Sequence, residues 1–140
     1  MDRRSSEVLA PPALATGAVF HERYEVQRCI ASGGMGAIYE VVHTVTGQRC
    51  ALKVMLSALI NDDDMRERFA REARVTANVQ SEHVVTVFDA GVDEASAVPF
   101  LVMELLQGSD LAQILREEGQ LEPAYVLTLL RQAAMALDKT

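Results

Sequence analysis

Ile30-Ala-Ser-Gly-Gly-Met-Gly-Ala-Ile-Tyr39 sets three glycines, Gly33, Gly34 and Gly36, between two runs of extended character. Upstream, Tyr24, Val26, Arg28 and Ile30 alternate with Glu25, Gln27 and Cys29. Downstream, residues 37–45 are rich in β-branched side chains. Alternation with period two and β-branched enrichment are strand signals, so the stretch reads as a β-hairpin with glycines at its tip. Glycine supplies positive φ angles and lets backbone N–H groups approach a ligand closely. A phosphate chain suits such a loop, and a plain hairpin turn accounts for the same glycines. Two other phosphate loops are excluded. A dinucleotide fold needs its glycines to open a helix, whereas these open a strand, and Ala31 stands at the first glycine of that pattern. A Walker-type loop needs Gly-Lys-Ser/Thr, which is absent.

Two charges sit among apolar residues on either side of this hairpin's sequel. Lys53 lies inside the strand-like run Cys50-Ala-Leu-Lys-Val-Met-Leu56. Residues 62–80 read as an amphipathic helix, with Met65, Phe69, Thr76 and Val79 on one side and Arg66, Glu67, Arg71, Arg74 and Asn78 on the other. Glu72 falls within the apolar stripe. A buried carboxylate without a partner is costly or shifts its pKa, so Glu72 calls for a cation. Lys53 is the candidate. The pair reads either as a structural salt bridge or as part of a site.

Together, the loop, Ala51-Leu52-Lys53 and Glu72 resemble the small lobe of a eukaryotic-like serine/threonine protein kinase of the bacterial type. In that family the loop commonly reads Gly-Gly-Met-Gly followed by an aliphatic residue and Tyr; here Gly33-Gly34-Met35-Gly36 precede Ile38-Tyr39. Phe69-Ala-Arg-Glu-Ala73 and Glu82-His-Val-Val85 are also similar to the family's helix and the loop after it. The resemblance covers roughly residues 20–140. It implies that Lys53 contacts the α- and β-phosphates of ATP and pairs with Glu72. Residues Ala31, Ser32, Gly33, Gly34, Met35 and Gly36 would cover the phosphates.

Pro99-Phe-Leu-Val-Met-Glu-Leu-Leu-Gln-Gly108 looks like the family's fifth strand and hinge. By that likeness Met103 stands beside the adenine pocket as gatekeeper. The C=O of Glu104 and the N–H of Leu106 would take the adenine edge, and Asp110 would meet the ribose. Ile30, Ile38 and Ala51 would roof the base. Ordinary core packing explains Met103 as well, and Asp110 also suits the N-cap of a helix over 111–118.

The family's pattern is not kept throughout. Ala31 replaces the loop's first glycine, and Thr76 stands where a larger apolar residue is usual. No His-Arg-Asp triplet occurs: the histidines are His21, His43 and His83. That triplet carries the base that accepts the substrate proton, and a later Asp-Phe-Gly helps hold magnesium. The resemblance therefore supplies a nucleotide-binding half, and Mg2+ is expected for a complete kinase, with its ligands absent from these residues.

The expected class is α+β: a five-stranded antiparallel sheet with one packed helix, then two helices, over 111–118 and 122–140, that begin a large lobe. The domain plan is a flexible leader over 1–19, a small lobe over 20–103, a hinge over 104–108 and the start of a large lobe over 109–140. The leader's apolar stretch is short and broken by Pro11-Pro12. The chain's 49% apolar content can build a core. A net charge of −7 with no basic stripe argues against nucleic acid as partner. Cys29 and Cys50, without a signal peptide, read as reduced thiols in a cytoplasmic protein. No run reaches transmembrane length and no four-ligand metal spacing is present. Val126, Leu129, Leu130, Ala133 and Leu137 recur at helical spacing as one apolar stripe, a candidate surface for self-association. The implied partners are ATP and a protein substrate. A non-catalytic nucleotide-binding or scaffold module, and a damaged reading frame, are the alternatives from other classes.

Overall fold

The structure is a computed structural model that describes residues 14–140. Its strands are β1 (Val19–Phe20), β2 (Tyr24–Ser32), β3 (Gly36–His43), β4 (Arg49–Met55), β5 (Val87–Val92) and β6 (Pro99–Glu104). They form one antiparallel sheet in the order β1-β2-β3-β4-β6-β5. Helix α1 (Asp63–Asn78) is inserted between β4 and β5, and α2 (Leu111–Glu118) and α3 (Pro123–Asp138) follow β6.

Six strands stand where five were expected. The additional one is the short β1, which pairs with Tyr24 and Glu25 of β2. It also corrects the leader. Phe20 is buried, Leu14 packs against the core, and Gly17 N–H donates to Val26 O at 2.8 Å. Residues 14–19 are thus part of the lobe, and the first 13 residues of the expected leader lie outside the described residues.

Strand alternation gives the sheet two faces. Tyr39 and Val41 of β3, Leu52 and Val54 of β4, and Phe100 and Val102 of β6 form the larger core with Tyr24, Val26 and Phe20. Lys53 and Met55 point the other way. There Met55 and Leu101 pack with Phe69 and Ala73 of α1, and half-buried Met35, Met65 and Met103 complete that cluster. The helix is therefore docked on the face that carries Lys53.

Local chemistry sets the helix ends. Asp62 is the N-cap of α1, its carboxylate accepting from Met65 N–H at 3.1 Å, while Asp63 and Asp64 complement the positive end of the helix dipole. The helix stops at Asn78 rather than at 80, because Val79 is already extended. Pro123 opens α3, where its missing N–H leaves no bond unmade.

Candidate functional site

Lys53 Nζ lies 2.6 Å from Glu72 Oε1. The Lys53 side chain is 18% exposed and that of Glu72 is 46% exposed. Glu72 is thus not buried in the apolar stripe, as its place in the sequence suggested. Phe69 and Ala73 form the buried line of α1, and Glu72 projects beside it, meeting the amine over the interior strand β4. The Phe69 ring also approaches the ammonium, with its centroid at 6.0 Å, the outer limit of a cation–π contact. Thr76 Oγ1 donates to the carbonyl of Glu72 at 2.9 Å, which gives that smaller residue a role in the helix turn bearing the carboxylate.

The β2–β3 hairpin brings its glycine tip over Lys53. Residues 31–36, Ile38 and Lys53 line a cavity of about 330 Å3. Gly33 N–H donates to Gly36 O at 2.9 Å, and Leu56 N–H donates to Met35 O at 3.0 Å, tying the loop to the end of β4. None of the three loop glycines has a positive φ. Their use differs from the expected one: a side chain at Gly36 would collide with the carbonyl oxygen of Val54, whereas at Gly33 and Gly34 it would meet open space. Glycine at 36 permits a close approach of two strands, and at 33 and 34 it keeps the cavity wall bare. Ala31 lies outside the left-handed region as well, so its Cβ adds no backbone strain.

Among the remaining candidates, Ile38 pairs with Lys53, and Ala51 pairs with Met103, all on one face of the sheet. Ala51 is buried, Ile38 half-buried and Ile30 exposed. Met103 packs against the Met55–Leu101 cluster. Glu104 is fixed twice, its N–H donating to Thr86 O at 2.9 Å and its carboxylate accepting from Thr86 N–H at 2.8 Å. Leu106 is exposed and, among the described residues, its N–H has no hydrogen-bond partner. Asp110 caps α2, accepting from Gln113 N–H at 2.7 Å. The structure thus brings residues 31–36, Ile38, Lys53 and Glu72 together, places Ala51 and Met103 in the adjoining row, and leaves Leu106 and Asp110 outside the cavity. Other hollows are larger, among them one of about 400 Å3 behind the sheet and one of about 580 Å3 between α1 and the β5–β6 pair, and these contain neither Lys53 nor the loop.

Glu40 was not singled out by the sequence reading. It is 5% exposed on the face of Ile38 and Ala51, accepting from Arg28 Nε at 2.7 Å and Arg49 Nε at 2.9 Å. The Arg49 guanidinium holds its carboxyl below the usual carboxylate range against the opposing effect of burial. The signal was present: a charge at an inward strand position between apolar neighbours, the same cue that marked Lys53.

A curled antiparallel sheet carrying one helix, with two further helices, defines a small α+β lobe joined to the start of a second. The Protein kinase domain family matches residues 24–139. The chain belongs to the protein kinase domain family. It is 39% identical over 115 residues to the serine/threonine-protein kinase PknH of Mycobacterium bovis, covering 82% of this chain and 19% of PknH. It is 37% identical over 125 residues to PknA of Mycobacterium tuberculosis, covering 87% of this chain and 29% of PknA. The crystal structure of the M. tuberculosis PknI kinase domain superposes with a TM-score of 0.76 at 32% identity, covering 91% of this chain and 51% of that one. The chain therefore spans about half of a solved kinase domain, comprising the small lobe and the start of the large lobe. Among the described residues, no helix is long and apolar enough to cross a membrane.

Proposed function

We propose that these residues form the ATP-binding portion of a cytoplasmic serine/threonine protein kinase, which in its complete form transfers phosphate from ATP to protein hydroxyls. The observation that carries this reading is the Lys53 amine, set between the glycine-walled cavity and the Glu72 carboxylate. An ammonium held at the wall of a cavity with bare backbone above it suits a polyphosphate. Glu72 fixes the amine's position. Ile30, Ile38 and Ala51 offer an apolar roof to a purine, with Met103 at its back. The Glu104 carbonyl and Leu106 N–H offer hinge contacts, and Asp110 a ribose contact beside its capping role.

Phosphoryl transfer also needs a residue to accept the hydroxyl proton and ligands for magnesium, which would offset the phosphate charge. No His-Arg-Asp triplet occurs in these 140 residues, so our reading assigns them nucleotide binding, with the transfer step belonging to the complete domain. A protein substrate is implied by the same reading, and α3 is the proposed surface for self-association.

Titration with a fluorescent ATP analogue, displaced by ATP, tests the reading. Saturable binding that weakens about tenfold or more in Lys53→Met supports it, since a charged hydrogen bond to phosphate contributes about 1.5–3 kcal/mol. Equal binding by wild type and Lys53→Met would sink it.

A further inference from the structure

We propose that Glu40, held between Arg28 and Arg49, is a positioning residue that fixes β2 on β3 and so sets how closely the glycine loop covers the phosphate end of the nucleotide. This rests on the nucleotide-binding reading above.

The reason lies in the register of β2. Val26 pairs with Val41 and Arg28 with Glu40, so Gln27 is one residue too many; Cys29 pairs with Tyr39 and Ala31 with Ile38, so Ile30 is another. Two bulges thus flank a regular stretch of only two pairs, Arg28 with Glu40 and Cys29 with Tyr39. A bulge leaves its extra residue unpaired and bends and twists the strand. Beyond Val26, residues 28–32 of β2 are exposed on both faces, so burial specifies the register there only weakly. By contrast, β3 and β4 pair without a break from Gly36–Met55 to Val42–Arg49. The loop therefore hangs from one firm strand and one slack strand.

Glu40 makes up for the slack strand. Arg28 and Glu40 are directly opposite, and Arg49 lies diagonally across β4, two residues before Ala51 on the same face. One carboxylate joins three strands at the root of the hairpin, through Nε of Arg28 and of Arg49. Both guanidinium groups are largely exposed while the carboxylate is not. The two cations exceed the single anion, so removing Glu40 would also set two arginines against each other.

Losing the clamp frees residues 30–34 on the β2 side while the β3–β4 platform stays intact. Ile38 and Ala51 lie on that platform, so of the three roof residues only Ile30 is freed and contacts to a base change less than contacts to phosphate. The loop tip is farthest from the clamp and moves most, so contacts to phosphate weaken. A purely structural ion cluster would affect base and phosphate binding alike.

The test compares ATP with adenosine on the 140-residue chain. Arg28→Met cuts the tie to β2 and leaves Glu40 paired with Arg49; Glu40→Leu removes the whole clamp; Arg28→Lys keeps a cation in reach. Arg28→Met and Glu40→Leu are expected to lower the ratio of ATP to adenosine affinity about tenfold, with adenosine affinity within about twofold of wild type. Arg28→Lys should recover most of the ratio. A second readout needs no nucleotide and holds if Glu40→Leu fails to fold. Amide exchange at Gly33 and Leu56 should quicken in Arg28→Met, while the Asp93 amide, bonded to Val98 O on the far hairpin, should not change. Parallel loss of ATP and adenosine binding, or unchanged loop exchange in Arg28→Met, overturns the assignment. If wild type binds neither ligand but loop exchange still responds to Arg28→Met, the nucleotide reading fails and the clamp on the loop stands.

Discussion

Lys53 and Glu72 form an asymmetric pair: the amine is largely enclosed by the sheet and Phe69, whereas the carboxylate that meets it at 2.6 Å is nearly half in water. Removing either partner is therefore not equivalent. Glu72→Ala leaves an enclosed ammonium unpaired, at a cost of about 1–2 kcal/mol. Lys53→Met leaves a carboxylate that water can solvate and fills the enclosed site with an apolar side chain. Urea unfolding should rank Glu72→Ala as the least stable, with the double variant regaining most of the loss. Equal destabilisation by both single changes would show that the exposure difference has no energetic weight.

Gly36 is the loop glycine whose replacement the backbone resists. An added Cβ would strike the Val54 carbonyl within the β3–β4 pair. Strands must then part at the position where the loop joins the sheet. Gly36→Ala is expected to cost about 1–3 kcal/mol, as overpacking does, while Gly34→Ala should stay within about 0.5 kcal/mol of wild type, as surface changes do. Thermal unfolding of the two variants checks this, and comparable loss in both would contradict the close approach at Gly36.

Tyr24 links folding to alkaline pH. Burial, together with the hydrogen bond to the Asp89 carboxylate at 2.9 Å, pushes its phenol up to about 12 from an ordinary 10.0. The folded chain thus holds this proton more tightly than the unfolded chain. The resulting stability is fully present below pH 10 and is lost as pH rises towards 12. Tyr24→Phe removes this titration along with the hydrogen bond. Between these pH values its melting temperature should fall less steeply than that of wild type, although Tyr39 and Cys50, both also pushed up by burial, add to the slope in each. Parallel slopes would refute the assignment to Tyr24.

The hairpin, Lys53 and α1 were legible in the sequence because each rests on a local signal: period-two alternation, a charge at an inward position, and a helical stripe opened by aspartates. What escaped depends on distant partners. β1 has two residues, too few for a periodic pattern, and exists through its pairing with β2. The exposure of Glu72 follows from how α1 is rolled on the sheet, which places Phe69 and Ala73 innermost. The Glu40 cluster joins three strands, two of them related only by the bulged register of β2. The use of Gly36 depends on its distance from Val54, eighteen residues later in the sequence, which no single-strand pattern shows.

The apolar stripe of α3 divides in the folded chain. Val126 and Leu129 are half-buried, and Leu129 shares a hollow with Val84 and Val85 of the segment after α1. Leu130 and Leu137, by contrast, are 62% and 70% exposed, and Leu127 is exposed beside Leu130, three residues away on the same side of the helix. Contiguous exposed apolar surface of several hundred Å2 drives association. The 140-residue chain is expected to self-associate through Leu130 and Leu137 rather than through Leu129. Leu130→Glu combined with Leu137→Glu should shift it towards monomer with its melting temperature unchanged. Leu129→Glu should instead lower the melting temperature, because it forces a charge into the contact with the small lobe. Size-exclusion chromatography with light scattering, paired with thermal unfolding, separates the two cases. A wild-type chain that stays monomeric at high concentration would show that the exposed face of α3 does not mediate association.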